Sequence, residues 1–201
     1  MSYVRVKICG ISDVETAHRA AHCGADALGF VFAPSRRRVS TEKAGSIITE
    51  LPPFISKVGV FVNQSYSEIC HIVECTGIDT IQLHGDETPE FCRSFRHKVI
   101  KSLSVKEESD IASCKYYDVD AYLLDTSLPG MRGGTGISFD WRLATGFTHG
   151  PLILAGGLNP GNVREAIKTV RPYAVDVSSG VETDGKKDFY KIEEFIRRAK
   201  S

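Results

Sequence analysis

The chain has 201 residues, 42% of them hydrophobic and 25% charged, the composition of an ordinary globular domain. Lysine plus arginine equals aspartate plus glutamate at 25 each, so no broad charged footprint for nucleic acid or an acidic membrane surface is expected. No apolar run reaches the ~18 residues of a membrane-spanning helix and no secretory signal precedes the first strand, so a cytoplasmic protein is expected. The six cysteines (Cys9, Cys23, Cys70, Cys75, Cys92 and Cys114) form no C-x-x-C pair and have no histidine at zinc-site spacing. Free thiols in a reducing compartment, and no metal, are the expectation.

In chain order, Val4 to Cys9 alternates apolar and polar and stops at Gly10, the pattern of a strand with two different faces. Val4, Val6 and Ile8 share one face; Arg5, Lys7 and Cys9 share the other. A helix from Asp13 to Cys23 follows, capped by Ser12 or Asp13 and ended by Gly24. Ala27 to Phe32 is an apolar run of strand length, of the kind buried on both faces. Pro34 and the basic run Ser35-Arg36-Arg37-Arg38 form a loop, and a helix from Thr41 to Leu51 is stopped by Pro52-Pro53. The alternation continues with strands at Lys57 to Val62, Thr80 to His84, Lys98 to Ser102 and Ala121 to Asp125. Between them fall helices at Ser67 to Cys75, Pro89 to about Arg96, and Glu107 to Cys114. A glycine-rich loop then runs through Gly130 and Gly133-Gly134-Thr135-Gly136, with a short helical piece at Asp140 to Thr145. A strand at Pro151 to Ala155 ends in Gly156-Gly157, and a helix from Pro160 to Val170 carries proline at its start. The last strand, Ala174 to Val177, ends in Ser178-Ser179-Gly180, and a helix from Asp188 to Ala199 closes the chain.

Strict alternation of strands and helices implies a parallel sheet with helices outside it. Eight such units predict a single-domain (β/α)8 TIM barrel over residues 1–201, near the lower size limit of that fold. The rival, a doubly wound open sheet, ordinarily carries a G-x-G-x-x-G turn after its first strand; Cys9-Gly10-Ile11-Ser12 stands there instead.

In a barrel the C-terminal ends of the strands carry the active site. Here those ends hold Cys9, Asn63, His84, Asp125, Gly156-Gly157 and Ser178-Ser179-Gly180. Strand parity places Lys7, Cys9, Gln82, His84, Asp125 and Asp176 inside the barrel, with Val6, Ile8, Tyr122 and Leu124 outside against the helices. A lone cysteine is ordinarily a small buried hydrophobe. At a strand end with Lys7 two residues back on the same face, Cys9 is instead expected to be a thiol whose pKa the cation lowers. Asp125 reads either as a cap or ion-pair partner or as an acid at the mouth. His84 reads as a hydrogen-bonded wall residue that faces substrate, and Lys7 with Asp176 as a buried pair supporting the site. The glycine loops after the last two strands are where barrels frequently bind phosphate. Gly156, Gly157, Ser178, Ser179 and Gly180 are therefore the expected phosphate site, and the arginine run after the second strand is a candidate anion clamp.

Taken together, Lys7-Ile8-Cys9-Gly10, Gly29-Phe30-Val31-Phe32, Gly59-Val60-Phe61-Val62-Asn63, Gln82-Leu83-His84-Gly85-Asp86-Glu87, Leu123-Leu124-Asp125-Thr126, Gly133-Gly134-Thr135-Gly136, Ala155-Gly156-Gly157-Leu158-Asn159-Pro160 and Asp176-Val177-Ser178-Ser179-Gly180-Val181-Glu182 span the chain in order. In these segments the sequence closely resembles the phosphoribosylanthranilate isomerases of tryptophan biosynthesis. The resemblance implies an Amadori rearrangement of N-(5-phosphoribosyl)anthranilate, with Cys9 as general base, Asp125 as general acid and no cofactor. It also implies an arginine after the second strand on the anthranilate carboxylate. Counting back from Val39-Ser40 favours Arg37, and counting forward from Pro34 favours Arg38. The expected partner is thus a small phosphorylated substrate, with the chain a monomer or homodimer. The histidine-pathway isomerase performs the same rearrangement but resembles a duplicated half-barrel with paired aspartates. Indole-glycerol-phosphate synthase would need catalytic lysine and glutamate at strand ends. A non-catalytic barrel acting as a partner subunit would not need Cys9, Asp125 and both glycine loops together.

Overall fold

The computed structural model describes residues 4–128, 131–132 and 140–201. Eight parallel strands close into a barrel: β1 (Arg5–Cys9), β2 (Ala27–Val31), β3 (Ser56–Phe61), β4 (Thr80–Leu83), β5 (Lys98–Val105), β6 (Ala121–Leu128), β7 (Leu152–Leu154) and β8 (Ala174–Val177). Each strand pairs with its neighbours in sequence, and β1 pairs with β8 through Arg5↔Ala174 to Ile8↔Val177, which closes the ring. The fold is the single-domain (β/α)8 barrel expected from the alternation.

Helices α1 (Val14–His22), α2 (Thr41–Thr49), α3 (Tyr66–Thr76), α4 (Pro89–Arg93), α5 (Glu108–Ala112), α6 (Val163–Val170) and α7 (Phe189–Ala199) alternate with the strands. Between β6 and β7 the described residues hold a two-residue strand, Met131–Arg132, paired antiparallel with the end of β6, and a 3-10 turn, Trp141–Ala144. Local chemistry fixes the helix starts. The Asp13 carboxylate accepts from the Thr16 amide of α1 at 2.8 Å, and Ser65 with Glu68 forms a reciprocal capping box on α3.

Several boundaries differ from expectation for local reasons. The helix expected from Pro160 begins at Val163. The Asn159 side chain accepts from the Gly161 amide and the Asn162 side chain accepts from the Asn159 amide, each at 2.8 Å. These bonds turn the chain before the helix starts, as asparagine side chains commonly do. Helix α4 stops at Arg93, where the Ser94 hydroxyl takes the Phe91 carbonyl at 2.7 Å. Strands β5 and β6 run on past Ser102 and Asp125 because they stay paired as far as Val105↔Thr126. A small hairpin, Glu182–Thr183 paired with Lys186–Lys187, stands between β8 and α7 where the sequence reading placed no structure. The expected loop through Gly130 and Gly133-Gly134-Thr135-Gly136 lies outside the described residues.

Two apolar clusters follow from strand parity. The larger lies between sheet and helices and contains Val6, Ile8, Tyr122 and Leu124, the four residues assigned to the outer face. The smaller fills the lower barrel with Val58, Ile100, Ala121, Leu123, Ile153, Ala155 and Ala174. Above that plug the inward positions turn polar, so the packing itself delimits a floor and a mouth.

Candidate active site

Four inward polar positions form the layer above the apolar floor. Lys7 on β1 donates to Asp176 on β8 at 2.9 Å, with both side chains buried. The strand register sets Lys7 directly opposite Asp176, so this pair is dictated by backbone pairing. Gln82 on β4 donates to the Ser102 hydroxyl on β5 at 3.1 Å.

Cys9 ends β1, one layer higher, and is buried. Its strand partner is Gly29. A Cβ on Gly29 would lie 2.8 Å from the Cys9 sulfur and 3.1 Å from the Lys7 ammonium, so the absent side chain is the space in which thiol and ammonium meet. Sequence reading passed over Gly29, which is recognisable only once the β1–β2 register is known. Burial pushes the Cys9 thiol up; the Lys7 ammonium pulls it down, but the net shift is upward. This corrects the expectation that Lys7 lowers the Cys9 pKa: at this depth desolvation of the thiolate outweighs one adjacent cation. Burial also disfavours the Lys7 ammonium, but Asp176 and Cys9 beside it carry its pKa above the usual lysine value.

Asp125 lies on β6, three strands round the ring from β1, and is also buried. The Asp125 carboxylate is 3.6 Å from His84 Nε2, near contact but too long for a hydrogen bond. Gln82 Nε2 lies 3.1 Å from His84 Nδ1; with the amide donating, the ring proton is assigned to Nε2, facing Asp125. Burial, reinforced by the positive charge of Lys7, holds His84 at about 4, so the ring is neutral at physiological pH.

The loop carrying His84 is clamped from behind. Lys101 on β5 points away from the barrel axis and is buried with Glu87, Nζ to Oε2 being 2.7 Å. Glu87 also accepts from the Asn63 and Gly85 amides at 2.8 and 2.9 Å, and Lys101 donates to the Gly85 carbonyl at 2.8 Å. A lysine in the outward register of a strand was the available signal for this clamp, and the sequence reading gave it no role.

The two glycine loops meet. A Cβ added to Gly180 would fall on the Leu158 carbonyl oxygen, 2.9 Å from its carbon and 3.1 Å from Asn159 Cα, so the loops touch backbone to backbone. Gly156 and Gly157 take φ of +79° and +66°, which favour glycine, and the Gly157 carbonyl accepts from the Asn159 and Asn162 side chains at 3.3 and 3.0 Å. Ser178 is tied to β1, its hydroxyl donating to the Cys9 carbonyl at 3.1 Å. The two loops that carry the five expected phosphate-site residues are thus in contact.

The two arginine candidates separate. The Arg37 stem crosses the end of β1 at Gly10: a Cβ there would sit 2.7 Å from Arg37 Cδ and 3.2 Å from the Ser178 hydroxyl. Arg37 is half-buried, whereas Arg38 is exposed. Arg37 is also bound side-on to Glu182, Nε to Oε1 at 2.7 Å and Nη2 to Oε2 at 2.9 Å. Glu182 and its hairpin partner Lys187 had no role in the sequence reading, yet Thr183-Asp184-Gly185-Lys186 carries the Asp-Gly signature of a two-residue hairpin turn.

This rim and floor have counterparts in known proteins. The profile of the family described as "N-(5'phosphoribosyl)anthranilate (PRA) isomerase" matches residues 6–198. The chain belongs to the PRA isomerase family. An N-(5'-phosphoribosyl)anthranilate isomerase of Desulforudis audaxviator is 52% identical over 198 residues, covering 97% of each chain. The crystal structure of the PRA isomerase of Thermotoga maritima superposes with a TM-score of 0.91 at 47% identity, covering 98% of each chain. A further PRA isomerase structure, solved in complex with reduced 1-(o-carboxyphenylamino)-1-deoxyribulose 5-phosphate, matches with a TM-score of 0.87 at 46% identity and 98% coverage of each chain. Among the described residues no helix is long and apolar enough to cross a membrane, and no three His, Cys, Asp or Glu side chains gather as a metal site would require.

Proposed function

We propose that Cys9 and Asp125 carry the proton transfers of the PRA isomerase reaction, with Arg37 and the two glycine loops holding the ends of the substrate. The reaction is the Amadori rearrangement of N-(5-phosphoribosyl)anthranilate to 1-(2-carboxyphenylamino)-1-deoxyribulose 5-phosphate in tryptophan biosynthesis. The observation that supports the assignment best is the pair of ionisable groups, Cys9 and Asp125, both buried and inward-facing on β1 and β6 above an apolar floor.

The first step opens the furanose ring. Asp125 gives a proton to the ring oxygen as the C1–O bond breaks, and the anilino nitrogen lone pair forms the C1=N bond. Cys9, as thiolate, then removes the C2 proton. The C2–H electron pair forms C1=C2, and the C1=N π pair returns to nitrogen. Protonation at C1 with loss of the C2 hydroxyl proton completes the ketone. Neutral His84 presents its Nε2 proton beside Asp125 and borders the substrate without exchanging a proton of its own near neutrality. Lys7 and Asp176 support Cys9 from below.

Arg37 takes the anthranilate carboxylate, an ion pair for which a guanidinium fork is well matched. Gly156, Gly157, Ser178, Ser179 and Gly180 supply backbone donors and close approach for the phosphate, whose binding energy is delivered far from the reacting carbons. Kinetics of Cys9→Ser and Asp125→Asn test the roles. Each is expected to lose ~10²-fold or more in kcat/KM, the low end for a positioned acid or base. Cys9→Ser with more than about a third of wild-type kcat/KM would remove Cys9 as base.

A further inference from the structure

The hairpin between β8 and α7 ties the expected carboxylate end of the mouth to the expected phosphate end. Its turn is made by Asp184 and Gly185, with φ of +50° and +77°, the paired positive values of a tight two-residue hairpin. The pairing sets Glu182 opposite Lys187. The Glu182 carboxylate is almost wholly buried, yet four nitrogen donors converge on it. Arg37 contributes two, Arg36 Nη2 lies at 2.9 Å, and Lys187 Nζ lies at 3.0 Å. Four donors fill the roughly four acceptor sites of a carboxylate. Its backbone is pinned as well, since the Glu182 carbonyl accepts from Lys191 of α7 at 2.8 Å.

We propose that Glu182 is a positioning residue of the isomerase site: by gripping the Nε–Nη2 edge of Arg37 it fixes the guanidinium so that the remaining edge is presented to the substrate carboxylate. The inference rests on the reading that Arg37 binds that carboxylate. A guanidinium is planar and rigid, so holding one edge at two points fixes both its plane and the direction of the other edge. Glu182 occupies Nε and Nη2, which leaves both Nη1 hydrogens and one on Nη2. The stem is held too, lying across side-chain-free Gly10. Three cations meet one carboxylate, so the cluster keeps a positive surplus for an anion although Arg37 is already paired. Lys187 makes the second connection: it donates to the Ser178 carbonyl at 2.9 Å and so anchors the neighbouring loop.

The test measures how much the carboxylate is worth. The probes are reduced 1-(o-carboxyphenylamino)-1-deoxyribulose 5-phosphate and the same compound lacking its carboxyl group, with Kd measured by calorimetry for each. In the wild type the ratio of the two values is the carboxylate factor. Arg37→Ala should bring it close to one. Glu182→Gln should reduce it about tenfold, the equivalent of one charge-assisted hydrogen bond, while the carboxyl-free probe changes by much less. Lys187→Met, which leaves both Arg37–Glu182 bonds in place, should weaken both probes alike and keep the factor. Glu182→Asp keeps the charge beside Lys187 but draws the carboxylate back by a methylene, and should shift the factor in the same sense as Glu182→Gln even if the latter folds poorly.

If Arg37→Ala keeps the wild-type factor, the carboxylate lies elsewhere and the underlying reading of Arg37 fails. If Arg37→Ala abolishes it while Glu182→Gln and Glu182→Asp keep it, the positioning role alone fails. A factor that rises in Glu182→Gln overturns the proposal too, because Glu182 would then be competing with the substrate for Arg37. Equal weakening of both probes in the Glu182 variants would show a support for the fold rather than for Arg37.

Discussion

Gly180→Ala asks whether the contact between the two glycine loops sets the phosphate site. The added methyl would meet backbone, which cannot rotate aside as a flexible side chain could. The Leu158 carbonyl carbon, 2.9 Å from the new atom, must recede by roughly 0.6 Å or more to reach a relaxed carbon–carbon distance, and its oxygen by more. The loop at Gly156-Gly157 has little slack, since Asn159 and Asn162 both hold the Gly157 carbonyl. The loops should therefore part by about an ångström, a displacement that costs ~10²-fold in rate where positioning matters. Overpacking of this kind destabilises a fold by roughly 1–3 kcal/mol, and in a domain of this size each kcal/mol lowers Tm by about 2–4 °C. Steady-state kinetics should show kcat/KM down by about two orders of magnitude, largely through KM, and competitive inhibition by inorganic phosphate weakened in parallel. Thermal melting confirms that the variant is folded at assay temperature. A folded Gly180→Ala with wild-type KM and wild-type phosphate inhibition would refute the placement of phosphate on these loops.

Three further outcomes follow from the buried charges. His84 titrates at about 4 in the folded chain against 6.5 in an unfolded one, so the unfolded state binds more protons between those values. The contribution is fully present above pH 6.5 and is lost as pH falls toward 4, amounting to about 3 kcal/mol; denaturant melts of His84→Gln across that window should show a flatter pH dependence. Lys101→Met leaves the Glu87 carboxylate buried without its cation and should cost about 3–5 kcal/mol by urea unfolding. Because burial raises the Cys9 thiol, kcat/KM should climb with pH through the alkaline range as the thiolate forms; iodoacetamide alkylation of Cys9 should follow the same limb, and a rate limb absent from Cys9 alkylation would assign the base elsewhere.

The barrel was legible because hydrophobic periodicity and turn residues act locally. Parity alone sorted Val6, Ile8, Tyr122 and Leu124 outward and Cys9, Asp125, Gln82 and Asp176 inward. The inward placement of the candidate residues at strand ends was legible for the same reason. Those that escaped act through register or through chains distant in sequence. Gly29 matters because β1–β2 pairing sets it beside Cys9, and Arg37 separates from Arg38 through its seat across Gly10 and through a glutamate 145 residues away. The sign of the Cys9 shift escaped as well. Sequence shows the cation two residues back but not the depth at which both groups sit, and depth decides.

That depth bears on how the two groups proposed to react share one mouth. Burying Cys9 against Lys7 and Asp176 keeps it a neutral thiol through most of the pH range and removes one anion from a cavity that must accept a phosphate and a carboxylate. The cations of the rim, Arg36, Arg37 and Lys187, are held by the single carboxylate of Glu182, so on the proposed reading the substrate's anions meet a surplus of positive charge at the edge rather than at the reacting carbons. Charge is thereby separated by height. The floor is apolar, the layer of Lys7, Asp176, Gln82 and Ser102 lies above it, the thiol proposed as base stands one layer higher, and the charges proposed to hold the substrate's two ends stand at the rim. In such an arrangement a change at Arg36 should move KM without moving the pH limb that reports Cys9, whereas Lys187, whose charge also pulls the Cys9 thiol down, should move both.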